Sequence, residues 1–124
     1  MINYTLDTNA LIYYSHGDAG AIDTLERYAR ESAFNISVIT EIELFSKADT
    51  TQHEQSLIRE MLRGIYVVSV DSAVGAITSR LRREHRMKLG DSIIAATAIF
   101  FGTTLLTRNV RDFKRIPGLS VEAI

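Results

Sequence analysis

Apolar and polar positions alternate along this chain with two periods, and the switches between them mark out its elements. Ile2–Leu6 is a short apolar run that predicts a buried first strand. Residues 8–16 and 19–32 predict helices. The second starts after Gly17-Asp18 and carries Ala21, Ile22, Leu25, Tyr28 and Ala29 at helical spacing. Phe34–Ile39, rich in branched residues, predicts a second strand. Residues 40–48 and 52–64 predict a helical pair, the latter striped by Leu57, Ile58, Met61 and Leu62. Tyr66–Val70 predicts a third strand, and residues 72–87 a helix ending in basic side chains. Residues 91–101, DSIIAATAIFF, are almost wholly apolar and predict a centrally buried helix stopped by Gly102. Thr104–Thr107 predicts a fourth strand, followed by a helical turn at 109–114, Pro117-Gly118 and an edge strand at 119–123.

Strands that alternate with helices predict an α/β fold, a parallel sheet covered by helices on both faces. Parallel strands end at one common edge, and ligands of such sheets bind there. Residues that directly follow strands thereby become spatial neighbours.

Three acids fall at that edge. Asp7 follows the first strand, Glu43 lies one helical turn after the second, and Asp112 follows the fourth. Asp91 follows a helix and a loop, so its sequence position leaves its edge open. Each acid also reads as a helix cap. Thr40-Glu41-Ile42-Glu43 has the capping-box pattern, Asp91 after Gly90 suits an N-cap, Asn109 pairs with Asp112 in another, and Asp7 precedes the helix from residue 8. Caps have no reason to meet, whereas at least three of these acids fall near one edge of one sheet. Each close pair of like charges inside a protein costs on the order of a few kcal/mol unless a cation neutralises it. An all-oxygen donor set without cysteine or nearby histidine selects Mg²⁺ or Mn²⁺ over zinc or copper.

Composition narrows the picture only slightly. The 124 residues, 46% hydrophobic and 23% charged with one proline, predict one globular domain over residues 1–124 without a linker. Without cysteine there is no disulfide or thiolate metal site, which is compatible with a reducing cytoplasm. MINYTLD lacks the pattern of a signal peptide, and the apolar run Ile93–Phe101 is too short to span a bilayer, so no membrane association is expected. The net charge of −1 conceals an uneven distribution. With the four acids set aside, 11 carboxylates face 14 Lys plus Arg, about +3 over the remaining surface. Basic residues crowd 80–88 and 108–115, where they suit either phosphates or the C-terminal end of a helix dipole.

The stretches LDTNALIYY, ISVITEIEL, GDSIIAATA and LLTRNVRDF, in this order and spacing, resemble the PIN-domain ribonucleases, and most closely the VapC-type toxins of toxin–antitoxin pairs. The resemblance runs to about residue 119. It implies a three-layer α/β/α fold around a mostly parallel sheet of four to five strands. It implies a metal-dependent endoribonuclease whose catalytic and metal-binding acids are Asp7, Glu43, Asp91 and Asp112, with one or two Mg²⁺ or Mn²⁺ ions. Thr8, Asn9, Thr107 and Asn109 match the polar residues that orient ligands or substrate. Many relatives carry an acid where Asn109 stands and others where Asp112 stands, so the fourth position is divided between them. Arg86, Lys88, Arg108 and Arg111 are the candidate RNA contacts. The implied partners are tRNA or rRNA, whose cleavage inhibits translation, a cognate antitoxin, and a second copy of the chain in a cytoplasmic homodimer. A catalytically silent PIN-fold binding module is the alternative. A Mg²⁺-dependent receiver domain would need an early acidic pair, which is missing, although Asp71 stands where its phospho-acceptor would be.

Overall fold

The computed structural model describes residues 2–124. In chain order the elements are β1 (Ile2–Leu6), α1 (Thr8–Ser15), α2 (Ala19–Ala29), β2 (Ala33–Ser37), α3 (Val38–Phe45), α4 (Gln52–Met61), β3 (Tyr66–Val68), α5 (Ser72–His85), α6 (Leu89–Phe101), β4 (Thr104–Thr107), α7 (Val110–Phe113) and β5 (Ser120–Ala123). The strands form one sheet in the order β3-β2-β1-β4-β5, and every neighbouring pair is parallel. The expected α/β architecture is thus present, with β5 as a parallel outer strand.

Register assigns the strand residues to two faces. Thr5 lies beside Asn35 and Leu105, and Leu6 beside Leu106. Because strand side chains alternate, Leu6, Ile36 and Leu106 point to one face and Leu105 to the other. The first face is packed by Leu11, Leu25 and Leu44, with Ile58, Met61 and Leu62 against them. The second is packed by Val74, Leu81, Ile94, Ala95, Ala98, Phe113 and Ile116. This explains the uniformly apolar sequence of α6. The helix lies between the sheet and α5, and Ser92 through Ala98 are all buried. Beneath it, Thr5 Oγ1 bonds Asn35 Oδ1 and Thr103 Oγ1, each at 2.5 Å, in a buried polar thread that leaves Asn35 Nδ2 without a partner. No helix among the described residues is long and apolar enough to cross a membrane.

The strand order reverses between β1 and β4. The helices leading from β1 to β3 cover one face and α5–α6 cover the other, so a crevice opens at the C-terminal ends of β1 and β4.

Several element ends differ from the sequence expectation. β2 stops at Ser37 rather than Ile39, because the Ser37 hydroxyl accepts the Ile39 N–H at 3.1 Å and caps α3. Val38 and Ile39 therefore enter a helix despite their branched side chains. α2 ends at Ala29 and α4 at Met61, three residues earlier than expected, and β3 ends at Val68. α6 begins at Leu89, so Asp91 lies inside its first turn and not at its cap.

Arg86 ends α5 with φ of 53°, whereas the other positive-φ residues are the glycines 17, 64, 102 and 118. A side chain in this left-handed region costs roughly 1–2 kcal/mol.

Candidate active site

Asp7 directly follows β1 and is 4% exposed. Its N–H donates to Leu106 O at 3.1 Å and extends the β1–β4 ladder by one residue. Asp7 occupies the N-cap position of α1, yet its side chain makes no capping bond. Instead Oδ2 accepts from Thr107 Oγ1 at 2.8 Å, across the crevice at the end of β4. Thr107 Oγ1 in turn accepts the Asn109 N–H at 2.9 Å. One hydroxyl thereby couples the first acid to the turn that carries the last.

Glu43 is likewise not a cap, since Ser37 does that work for α3. Its Oε1 accepts from Thr8 Oγ1 at 2.7 Å, and Thr8 Oγ1 lies 2.9 Å from Thr40 Oγ1. Thr40 is fully buried and was not among the expected site residues. Its signal was available, because Thr40 and Glu43 stand three apart and share a helix face.

Asp91 is half-buried in the first turn of α6. A Cβ placed on Gly90 would stand 3.7 Å from Glu43 Oε2, so this turn lies directly against the Glu43 carboxylate. The start of α6 is thus at the crevice, which answers the question that the sequence left open for Asp91.

The carboxylates feel one another. Burial pushes the Asp7 pKa above its ordinary value; the Thr107 hydrogen bond opposes this, and the charges of Asp91 and Glu43 add to it. Burial also raises Asp91, opposed by Lys88 and reinforced by Glu43 and Asp112. Asp112 is exposed on α7 and accepts from Asn109 Nδ2 at 3.1 Å. Asn109 and Asp112 are thus joined side chain to side chain. Asn9 is exposed on the first turn of α1.

Arg108 has a different setting from the other candidate RNA contacts. It pairs through both terminal nitrogens with Asp18, which itself caps α2 by accepting the Ala21 N–H at 2.9 Å. Its guanidinium lies over the Tyr13 ring, 4.2 Å from the centroid, and Nε donates to Ile124 O at 3.2 Å. The side chain ties the α1–α2 turn to the C-terminal residue, and its donors are committed. Arg86, Lys88 and Arg111 are exposed and carry no ion pair among the described residues.

The donor set fits a hard divalent cation. Four carboxylates share one field, two with pKa values raised in part by their neighbours, and no nitrogen or sulfur donor intervenes. Among the described residues, no three acidic or histidine side chains close into a ready-made cage. Mg²⁺ does not require one, because it keeps several waters and takes only one or two carboxylates directly.

A family model described as PIN domain matches residues 4–119. Among curated proteins, the chain is 33% identical to Ribonuclease VapC2 of Rickettsia felis, over 96% of this chain and 96% of that protein. It is 29% identical to the tRNA(fMet)-specific endonuclease VapC of Salmonella typhimurium, over 98% of both. Among solved structures, it aligns over 100% of its length with 99% of a chain of Rickettsia felis VapBC2 bound to a promoter DNA fragment, at a TM-score of 0.88 and 29% identity. The four motifs, the parallel sheet with its crevice and these matches over almost the whole chain have one common reading: the protein belongs to the PIN-domain family, among the VapC-like ribonucleases.

Proposed function

We propose that this protein is a divalent-metal-dependent endoribonuclease and the toxin of a toxin–antitoxin pair, which inhibits translation by cutting tRNA or rRNA. The observation that carries the reading is the shared field of four carboxylates at the β1–β4 crevice, where Asp7 and Asp91 are costlier to ionise through burial and through the charges of their carboxylate neighbours. Such a cluster is stable as a set of anions only when a cation joins it.

Asp7 and Asp91 would hold the ion, with Glu43 and Asp112 completing the site or orienting its waters. A hard divalent ion supplies, when bound, positive charge where the phosphodiester gains negative charge, and it acidifies the water it carries. The protein's own part is orientation. Thr107 favours the ionised form of Asp7 and fixes its carboxylate by a hydrogen bond, and Thr8, held by Thr40, fixes the Glu43 carboxylate. Asn109 holds Asp112, and Asn9 stands exposed where a phosphate oxygen can reach its amide. Lys88 and Arg111 offer cationic contacts to the RNA backbone.

The antitoxin would lay its C-terminal segment across the acid crevice and find further apolar surface beside α4. A concavity of about 580 Å³ lies between α2 and the end of α4, floored by Leu25, Phe34 and Met61 and rimmed by Glu26, Glu60 and Arg63. An apolar segment with charged flanks fits it. The exposed Ile42 and Leu89, one and two residues before Glu43 and Asp91 in sequence, offer apolar surface for a second copy of the chain.

Brief induction followed by mapping of RNA 5′ ends is expected to reveal one dominant cut site, with growth arrest relieved by the protein of the adjacent reading frame. Harmless expression at high level would remove the toxin assignment, and an unchanged RNA population would remove the nuclease.

Thr107→Val is expected to lower metal affinity and activity about 10- to 100-fold, as loss of a ligand-orienting partner typically does. The hydrogen bond favours ionised Asp7, so its loss raises the Asp7 pKa and moves the acid limb of the pH–rate profile to higher pH. Thr107→Ser keeps the donor and should restore both. Identical profiles for all three proteins would separate Thr107 from Asp7 function.

A further inference from the structure

The connection between α5 and α6 carries a basic concavity that the acid site does not use. It measures about 540 Å³ and is lined by Ser79, Arg82, Arg83, Arg86 and Met87, of which Met87 is buried. We propose that Arg82, Arg83 and Arg86 form a phosphate cradle that grips the RNA backbone a short way along from the acids. The inference rests on the ribonuclease reading and adds a second anionic subsite to it.

Three observations support the cradle. First, the cations are available. None of the three arginines forms an ion pair among the described residues. Arg82 makes one long bond, from Nε to Met87 O at 3.4 Å. The acid of this stretch, Glu84, does not line the concavity, and it stands two residues from both Arg82 and Arg86, a spacing that separates helix faces.

Second, the end of α5 does not depend on these arginines alone. Cations are favourable at a helix C-terminus, and Arg115 shares that role from across the fold, its Nη1 donating to His85 O at 3.0 Å.

Third, the backbone at Arg86 runs against its residue. Among the described residues, glycine stands at each of the other four left-handed positions and an arginine stands here, at φ of 53°. Glycine is the least strained choice for such a helix end. Retaining a long cation at a strained turn is explained by what its guanidinium binds.

The chemistry and the location both point to a polyanion entering the site. A guanidinium presents paired donors that match phosphate oxygens, and phosphate contacts bind without reading sequence. Arg86 is five residues from Asp91 in sequence, at most roughly 18 Å of extended chain. An RNA strand lying across the acids therefore has the cradle within reach.

The test measures binding of a single-stranded RNA of about 12 nucleotides by fluorescence anisotropy across a salt series. It uses the full chain carrying Asp7→Asn so that the RNA stays intact. Each lost phosphate contact should reduce the slope of log affinity against log salt by about 0.7, so Arg83→Ala with Arg86→Gly should reduce it by about 1.4. Arg86→Gly alone should melt at or above the parent temperature while binding RNA more weakly, and Arg86→Lys should recover the slope. Slopes equal to the parent in these variants would overturn the cradle, and so would loss of binding to a poly-glutamate peptide with RNA binding intact, which would assign the patch to an acidic protein. Cleavage of the same RNA by the chain with Asp7 in place reads the nuclease independently. Its absence would fault the ribonuclease reading without touching the anisotropy result.

Discussion

Asp7→Asn abolishes RNA cleavage, with an expected loss of roughly 1,000-fold or more, while the protein remains folded. A bound divalent ion contributes several kcal/mol to the transition state, and every 1.4 kcal/mol or so is a factor of ten in rate. Asparagine keeps the shape of Asp7 and an oxygen to accept the Thr107 hydroxyl, so the packing survives. What disappears is the negative charge that holds the cation. The same change should stabilise the metal-free protein at neutral pH. Asp7 is buried, and the folded protein holds its proton more tightly than an ordinary aspartate near 3.8. Ionised Asp7 thus weakens the fold above its raised pKa, and the penalty fades as pH falls from that value toward 3.8. Asparagine does not titrate, so the variant should melt higher than wild type at neutral pH and lose this part of the pH slope. Divalent ions should raise the melting temperature of wild type and leave the variant nearly unchanged. Measured cleavage equal in the two proteins would expose a contaminating nuclease, and an equal thermal response to metal would remove Asp7 from the ion's ligands.

The second large effect is on stability. Phe113→Ala should destabilise the protein by about 3–5 kcal/mol, the usual range for removing a buried phenylalanine. That is a large share of the roughly 5–15 kcal/mol by which domains are stable. Phe113 is 1% exposed and packs with Leu105, Ala95 and Ile116. It is also the main anchor of α7, a four-residue helix far too short to persist alone. Its loss frees the turn that presents Asn109 and Asp112 to the crevice, so activity should decline along with stability. Urea denaturation checks the first effect, with a lowered midpoint and an unchanged slope. Phe113→Leu, nearer in volume, should cost less than about 1.5 kcal/mol. A cost below about 1 kcal/mol for the alanine variant would contradict the burial of this side chain.

Much of this architecture was readable beforehand. The element order, the parallel sheet and the central burial of α6 follow from periodicity and apolar runs, which depend only on which residues must leave water. The element ends were less legible. Val38 and Ile39 look like strand and become helix because a single hydroxyl, Ser37 Oγ, captures the Ile39 N–H. α2 and α4 each stop three residues early, although their sequences continue to suit a helix.

By itself, the amino-acid sequence determined that acids follow strands and that strand ends share an edge, because side-chain alternation and parallel crossovers are local and general rules. It did not decide whether Asp7 and Glu43 cap their helices. That choice turns on side-chain direction, and only the folded chain sets it: Thr107 and Thr8 reach Asp7 and Glu43 from segments 100 and 35 residues away in sequence. Tertiary structure also brought the first turn of α6 against Glu43 and committed Arg108 to Asp18. Contacts between distant segments depend on the packed geometry of the whole sheet, and no short stretch of sequence encodes them.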